Sequence, residues 1–250
     1  MRALLLAAGL GSRLRPLTDT TPKCLVPING AKLLDIWLSL LFGGGIERVL
    51  INTHHLAQQV RAHVRSSRFS DRIDLVHEAE LLGTGGTVLA NESFFQRKAG
   101  LIAHADNLTL FDVAAFIGRH DRRPPGVEIT MMTFETDVPQ SCGIVELDDR
   151  GLVIGFHEKV ANPPGTMANG AVYIFNPDVF DYMNGLGRAT IDISTEVLPD
   201  YLGCIQTFEN NIYHRDIGTP ESLHRATIEF PIILDKHMEF RRHVLPVDGA

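Results

Sequence analysis

Apolar and polar positions along this chain fall into blocks whose period changes near the middle. Ala3-Leu4-Leu5-Leu6-Ala7 is a short unbroken apolar run, the pattern of a strand buried on both faces. Leu33 to Leu41 is apolar at helical spacing and stops at Gly43-Gly44-Gly45, which predicts a helix with a glycine C-cap. Arg48 to Asn52 then reads as a strand, Leu56 to Val64 as a helix and Ile73 to His77 as a third strand. The glycine-rich stretch Gly83 to Thr87 leads into a short helix ending near Ala90. Gly100 to His104 is a fourth strand, closing at Asp106, and Val113 to His120 is a helix. Such β-α alternation predicts an α/β fold with a mostly parallel central sheet covered on both faces. Beyond it the pattern becomes β-rich. Ile129 to Phe134, Cys142 to Leu147, Val153 to Glu158 and Ala171 to Phe175 are strand-like, with turn signals such as Asp148-Asp149-Arg150-Gly151 between them. Pro177 to Asn184 is a proline-started helix, Ile205 to Phe208 and Ile212 to His214 are short strands, and Pro220 opens the last clear helix.

Composition narrows the class. The 250 residues, 44% hydrophobic and 21% charged, suit one large globular domain with a sizeable core. A net charge of −7 argues against a nucleic-acid surface and for a small-molecule partner, so any anion site must be a local cationic patch. Cys24, Cys142 and Cys204 are scattered and odd in number, as expected for reduced thiols in a cytoplasmic protein without a disulfide frame or zinc site. The first apolar run is too short for a signal peptide, and no run approaches the ~20 residues that span a membrane. The residues from Pro231 to Ala250 are weakly patterned, a tail that packs back on the domain or serves a contact in a homo-oligomer.

Chemistry concentrates just after the first strand. Ala8-Gly9-Leu10-Gly11-Ser12 is small enough for a ligand to touch backbone, Arg13 and Arg15 follow, and Lys23 comes after Pro22. Glycines that permit close approach, N–H groups and forked cationic donors form a polyphosphate-binding combination. The dinucleotide fingerprint is incomplete, because Leu14 stands where its third Gly belongs, and no P-loop is present. The whole stretch, G-x-G-S-R-L-R-P-L-T followed by P-K-C-L-V-P, instead closely resembles the signature of the sugar-1-phosphate nucleotidylyltransferases.

That resemblance extends to about Ile228 and implies a Rossmann-like, three-layer nucleotidyltransferase domain over residues 1–230. Residues 1–125 would form a nucleotide-binding half and 126–230 a small β-rich sugar-phosphate half, with no β-helix domain and with 231–250 as the tail. It implies nucleotide contacts from Leu6, Ala8, Gly9, Gly11, Ser12, Arg13, Glu78, Gly83 and Thr84, and catalytic roles for Arg13, Lys23 and Asp106. Asp106 ends an apolar strand in an Ala-Asp context, and Asp216 opens D-I-G-T-P. Together the two resemble the family's Mg²⁺-binding pair, although an isolated Asp more often caps a turn or helix. Glu78 stands five positions before the Gly of Leu82-Gly83-Thr84, where relatives read the nucleobase. An ionised Glu only accepts hydrogen bonds, which suits the adjacent N1–H and N2 donors of guanine and favours GTP over UTP or dTTP. Glu80 is a competing position. Cys142-Gly143-Ile144-Val145, Phe156-His157-Glu158-Lys159 and Asn169-Gly170-Ala171-Val172-Tyr173 match sugar-phosphate segments in order, pointing to Gly143, Glu158, Lys159, Asn169 and Gly170, with mannose or manno-heptose 1-phosphate as the partner substrate. Val160 departs from the Pro usual after that Lys. His54-His55, adjacent on a strand or turn, point apart and are expected to be structural, and Asp192-Ile193-Ser194 is expected to supply an Asp or Ser N-cap. Rival readings are a non-catalytic sugar-nucleotide sensor, which should lack a metal Asp or the signature Arg, and an NAD(P)-dependent oxidoreductase, which should have the third Gly.

Overall fold

The computed structural model describes residues 1–244, with side chains described through Arg241. The chain forms two compact units from interleaved segments: one takes Ala3–Glu80, His104–Val113 and the chain from Ile212 onward, the other Met1–Arg2, Leu81–Ala103 and Ala114–Asn211.

In the first unit the strand ending at Leu6 lies beside Arg48–Thr53, which lies beside Ile73–His77. The latter two are parallel, with Val49 opposite Ile73 and Thr53 opposite His77, so their carboxyl ends share one edge. Helix Leu33–Gly43 buries every apolar side chain from Leu33 to Phe42, as a helix hydrophobic all round must. Each such burial is worth roughly 1.5–3 kcal/mol relative to exposure. The glycines close it as the pattern predicts: Gly44 N–H donates to the Leu40 carbonyl at 2.9 Å, and Gly45 takes φ +93°. Some short elements escaped the pattern, among them one beside the aspartates. Asn107–Leu110 is a four-residue strand, too short to show a period, and it pairs antiparallel with Tyr213–Asp216 so that Asp216 faces Asn107. The chain's single tryptophan anchors this ribbon, since Trp37 Nε1 donates to the Asn107 carbonyl at 2.8 Å. Helix Pro220–Lys236, capped by Thr219, runs on through Pro231, and Met238–Val244 is helical too. The tail is therefore helical as far as Val244, and its last six residues lie outside the described ones.

In the second unit Met167–Phe175 is the central strand. It pairs antiparallel with Ile129–Glu135 and with Gly100–Ala103, and meets Gly143–Leu147 at the Ala168–Ile144 pair. Gly143–Leu147 pairs antiparallel with Val153–Glu158, and Ile205–Glu209 adds in parallel to Ile129–Glu135. Strand pairing is thus parallel in the βαβ part of the first unit and chiefly antiparallel here. The turn Asp148-Asp149-Arg150-Gly151 forms as its residues dictate: Asp148 Oδ1 accepts from Arg150 and Leu152 N–H, and Gly151 has φ +75°.

A buried polar chain crosses this unit's core. His120 Nε2 donates to Asn176 Oδ1 at 3.1 Å, which makes Nδ1 the acceptor from the Thr130 hydroxyl at 2.8 Å. Burial, with Arg123 adding to it, lowers the His120 pKa to about 4. An unfolded chain binds this proton near pH 6.5 while the folded one resists it, so stability is full above that pH and is lost as pH falls towards 4. The loss should reach about 1.4 kcal/mol per pH unit from this group. Urea midpoints at pH 7 and pH 5 should show a larger drop for the parent protein than for His120→Gln, and equal drops would refute the assignment.

Candidate active site

The glycine-rich loop is built around Thr18. Gly11 adopts φ +62°, and a Cβ there would stand 2.8 Å from Thr18 Cγ2. The Thr18 hydroxyl donates to the Gly11 carbonyl at 2.8 Å, and His55 Nε2 donates to the Thr18 carbonyl at 2.9 Å, so His55 is structural as its sequence context implied. Gly9 lies in open space, and Ser12 and Arg13 lie at or near the surface. Leu6 ends the first strand and Ala8 is buried behind the loop. The two arginines diverge: Arg15 pairs with Asp19 at 3.1 Å, while Arg13 Nη2 donates to Asp216 Oδ2 at 3.2 Å.

Lys23 is only 6% exposed, and its ammonium donates to Asp106 Oδ2 at 3.0 Å and to Asp216 Oδ1 at 3.2 Å. A buried ammonium needs such partners, and removing either would leave charge uncompensated. The ribbon explains how two carboxylates 110 positions apart meet: Asp216 sits opposite Asn107, next to Asp106. Burial pushes the Asp106 pKa up, but the Lys23 ammonium and His104 outweigh it and hold the carboxyl below its ordinary range. Asp106 is therefore ionised throughout the neutral range. Gly218, within D-I-G-T-P, was not singled out by the sequence, although its place two residues after Asp216 was a signal. A Cβ there would stand 2.6 Å from Arg13 Nη2 and 2.8 Å from Asp216 Oδ1. Gly218→Ala should displace the flexible Arg13 tip with little change in melting temperature while lowering catalytic rate by up to about 10²-fold, the scale of a 1 Å misplacement. Unaltered rate, or a collapse in stability, would count against that account.

Glu78 follows the Ile73–His77 strand and is 6% exposed, whereas Glu80 is exposed. Asn52 Nδ2 donates to Glu78 Oε1 at 3.0 Å, and Asn52 Oδ1 accepts from the Ala7 N–H at 2.7 Å. His54 Nδ1 donates to the Glu78 carbonyl at 2.8 Å, which gives this histidine too a structural use. Asn52 was missed in the sequence; a polar residue at the carboxyl end of an apolar strand was the available signal.

The second unit carries the remaining predicted residues. Gly83 has φ +74°, and Cβ atoms at Gly83, Gly85 and Gly86 would strike the Ile191 carbonyl oxygen, the Ile191 side chain and the Ala189 carbonyl oxygen at 2.5, 2.7 and 2.1 Å. The L-G-T-G-G run is thus a seat for residues 189–193. Thr84 Oγ1 accepts from Ile193 N–H at 2.7 Å and donates to Asp192 Oδ2, and Asp192 caps its helical turn through Thr195 N–H, as expected. Gly143 faces Glu158 across the strand pair, where a Cβ would stand 2.6 Å from Glu158 Oε2. Lys159, exposed and at φ +50°, places Nζ 2.8 Å from Glu158 Oε1, and its N–H donates to the Cys142 carbonyl. That left-handed residue sits next to Val160, where the sequence departs from the family pattern. Asn169 and Gly170 begin the irregularity in the central strand. Asn169 donates to the Tyr173 hydroxyl at 2.7 Å and accepts from Ala171 N–H at 2.9 Å, so both ends of its amide serve the bulge.

A glycine loop backed by a cation–carboxylate cluster at strand ends defines a nucleotide-handling α/β protein. Residues 2–230 match the nucleotidyl transferase family, and the chain belongs to it. It is 30% identical over 232 residues to a mannose-1-phosphate guanylyltransferase of Mycobacterium tuberculosis, covering 91% of this chain and 64% of that protein. It is 31% identical over 199 residues to a UTP–glucose-1-phosphate uridylyltransferase of Synechocystis sp., covering 73% of this chain and 51% of that protein. The chain thus spans between half and two thirds of the length of these relatives. The solved structure of HddC from Yersinia pseudotuberculosis shares the fold, with a TM-score of 0.78 at 23% identity, covering 92% of this chain and 99% of that one.

Proposed function

We propose that this chain transfers a nucleotidyl group from an NTP, GTP in preference, to a sugar 1-phosphate of the mannose or manno-heptose type, giving an NDP-sugar and pyrophosphate. The observation that carries the reading is the Arg13–Lys23–Asp106–Asp216 cluster behind the glycine-rich loop. It offers two hard carboxylate donors that already share one cation, Lys23 Nζ, and so suits Mg²⁺, which is commonly held by one or two carboxylates plus phosphate oxygens. When bound, Mg²⁺ would supply charge neutralisation for phosphate oxygens.

The remaining work falls to side chains and backbone. A sugar-phosphate oxygen forms the new bond to the α-phosphorus as the bond to the β-phosphate bridging oxygen breaks, and pyrophosphate leaves with that electron pair. The nucleophile is already an anion, so no covalent enzyme intermediate is required and catalysis is positioning plus charge stabilisation. Arg13 and the backbone from Gly9 to Ser12 take the β,γ-phosphates. Lys23, held between Asp106 and Asp216, would offer its ammonium to the α-phosphate. Lys159 takes the sugar phosphate, with Glu158 and Gly143 towards the sugar hydroxyls. Glu78, a buried carboxylate side chain, favours guanine over uracil, the base of the UTP named for the Synechocystis relative. A matrix of GTP, UTP, dTTP, CTP and ATP against sugar 1-phosphates with Mg²⁺, scored by product mass, tests this reading. GTP-sugar condensation supports it; product only with UTP or dTTP overturns the base assignment, and no product with any pair overturns the activity.

A further inference from the structure

Asn52 is almost wholly buried, 2% exposed, at the carboxyl end of the middle strand of three. Its amide joins two elements the reaction uses separately. On one side Oδ1 accepts from Ala7 N–H, where the first strand gives way to the glycine-rich loop; on the other Nδ2 donates to the Glu78 carboxylate. The amide has only one workable orientation here. Turned over, it would set its oxygen against a carboxylate oxygen and its NH₂ against an N–H. Neither Ala7 nor the Glu78 carboxylate can reverse its role, so the pair of bonds fixes Asn52, and Asn52 in turn fixes Glu78.

We propose that Asn52 is the positioning residue for nucleobase selection: it holds one oxygen of Glu78 so that the carboxylate meets the base in a single orientation, and it ties that orientation to the start of the phosphate loop. The inference rests on the reading of Glu78 as the base reader. Asn52 touches no substrate in this scheme and acts through Glu78. A buried donor to a carboxylate restricts rotation about the Glu side chain, and a fixed carboxylate orientation bears on base discrimination rather than on phosphorus chemistry.

Asn52→Asp is the direct test, because it keeps an acceptor for Ala7 N–H and replaces the donor to Glu78 with a second carboxylate. The expected result is a rise in KM for GTP of about ten- to a hundredfold, the range for a lost hydrogen bond to a charged group. The rate at saturation should change little, and the GTP-to-UTP ratio of kcat/KM should fall. A merely structural Asn52 would instead depress all nucleotides equally. The double variant Asn52→Asp/Glu78→Gln restores a donor–acceptor pair of opposite sense. It should recover melting temperature lost in Asn52→Asp and, since the glutamine NH₂ then faces the new aspartate and its oxygen is left for the base, part of the GTP preference as well. An unchanged GTP-to-UTP ratio in Asn52→Asp, or a double variant no more stable than Asn52→Asp, overturns the proposal. Glu78→Gln alone separates the two levels: if it leaves base preference untouched, the base-reader assignment has failed, whereas a preference that moves with Glu78 and not with Asn52 defeats this inference alone.

Discussion

Asp106→Asn is expected to lower nucleotidyl transfer by about 10²–10³-fold, the usual scale for losing one charge contact to a reacting centre, while the protein remains folded. The structure gives the reason for both halves. Asparagine is nearly isosteric, and its Oδ1 can still accept from the Lys23 ammonium, which also keeps Asp216 at 3.2 Å, so the buried lysine is not stranded. What disappears is the negative charge that would hold a divalent cation beside the phosphates and draw Lys23 away from them at rest. Because Lys23 keeps the Asp106 pKa below its ordinary range, the wild-type group is charged at every pH near neutrality. Its loss should therefore appear as a uniform drop across that range and not as a shifted pH optimum. Pyrophosphate release with GTP, a sugar 1-phosphate and Mg²⁺, paired with a thermal melt, checks this. Near-normal turnover in Asp106→Asn would remove the cluster from the mechanism.

Glu78→Gln should change which nucleotide is used. Asn52 presents its NH₂ to position 78, so a glutamine there would turn its oxygen to Asn52 and leave its own NH₂ for the ligand. That group is a donor, mismatched to the N1–H and N2 donors of guanine and matched to the carbonyl acceptors of uracil and thymine. GTP kcat/KM should fall by about ten- to a hundredfold, and UTP or dTTP should gain relative to it. Competition between GTP and UTP in one reaction, resolved by product mass, measures the ratio directly. An unaltered ratio would take Glu78 out of base recognition.

The fold was legible where elements are long and their period is clean. The buried Leu33–Gly43 helix, its glycine cap and the strands at Arg48–Thr53 and Ile73–His77 follow from apolar spacing and punctuation, because burial of a repeated face dominates local choices. Asn107–Leu110 was not legible. Four residues carry no period, and that strand exists because Tyr213–Asp216 pairs with it and Trp37 pins its first carbonyl. Likewise L-G-T-G-G reads as a ligand loop, whereas the glycines at 85 and 86 are also required by the backbone of residues 189–191, packed where any Cβ would collide. A motif identifies residues that cannot vary freely; it does not say which neighbour imposes the constraint.

Sequence alone determined the inventory: a glycine-rich turn after a buried strand, a following arginine and lysine, and an aspartate at each of two strand ends. Those follow from residue type and spacing, since flexible backbone, fixed cations and hard anions are properties the residues bring with them. Tertiary structure decided how they are used. Only the antiparallel ribbon brings Asp216 beside Asp106, only that meeting makes a buried Lys23 tolerable, and only the adjacency of three strands lets the Asn52 amide touch both Ala7 and Glu78. Pairing across long sequence separations is a property of the packed chain, and no local pattern encodes it.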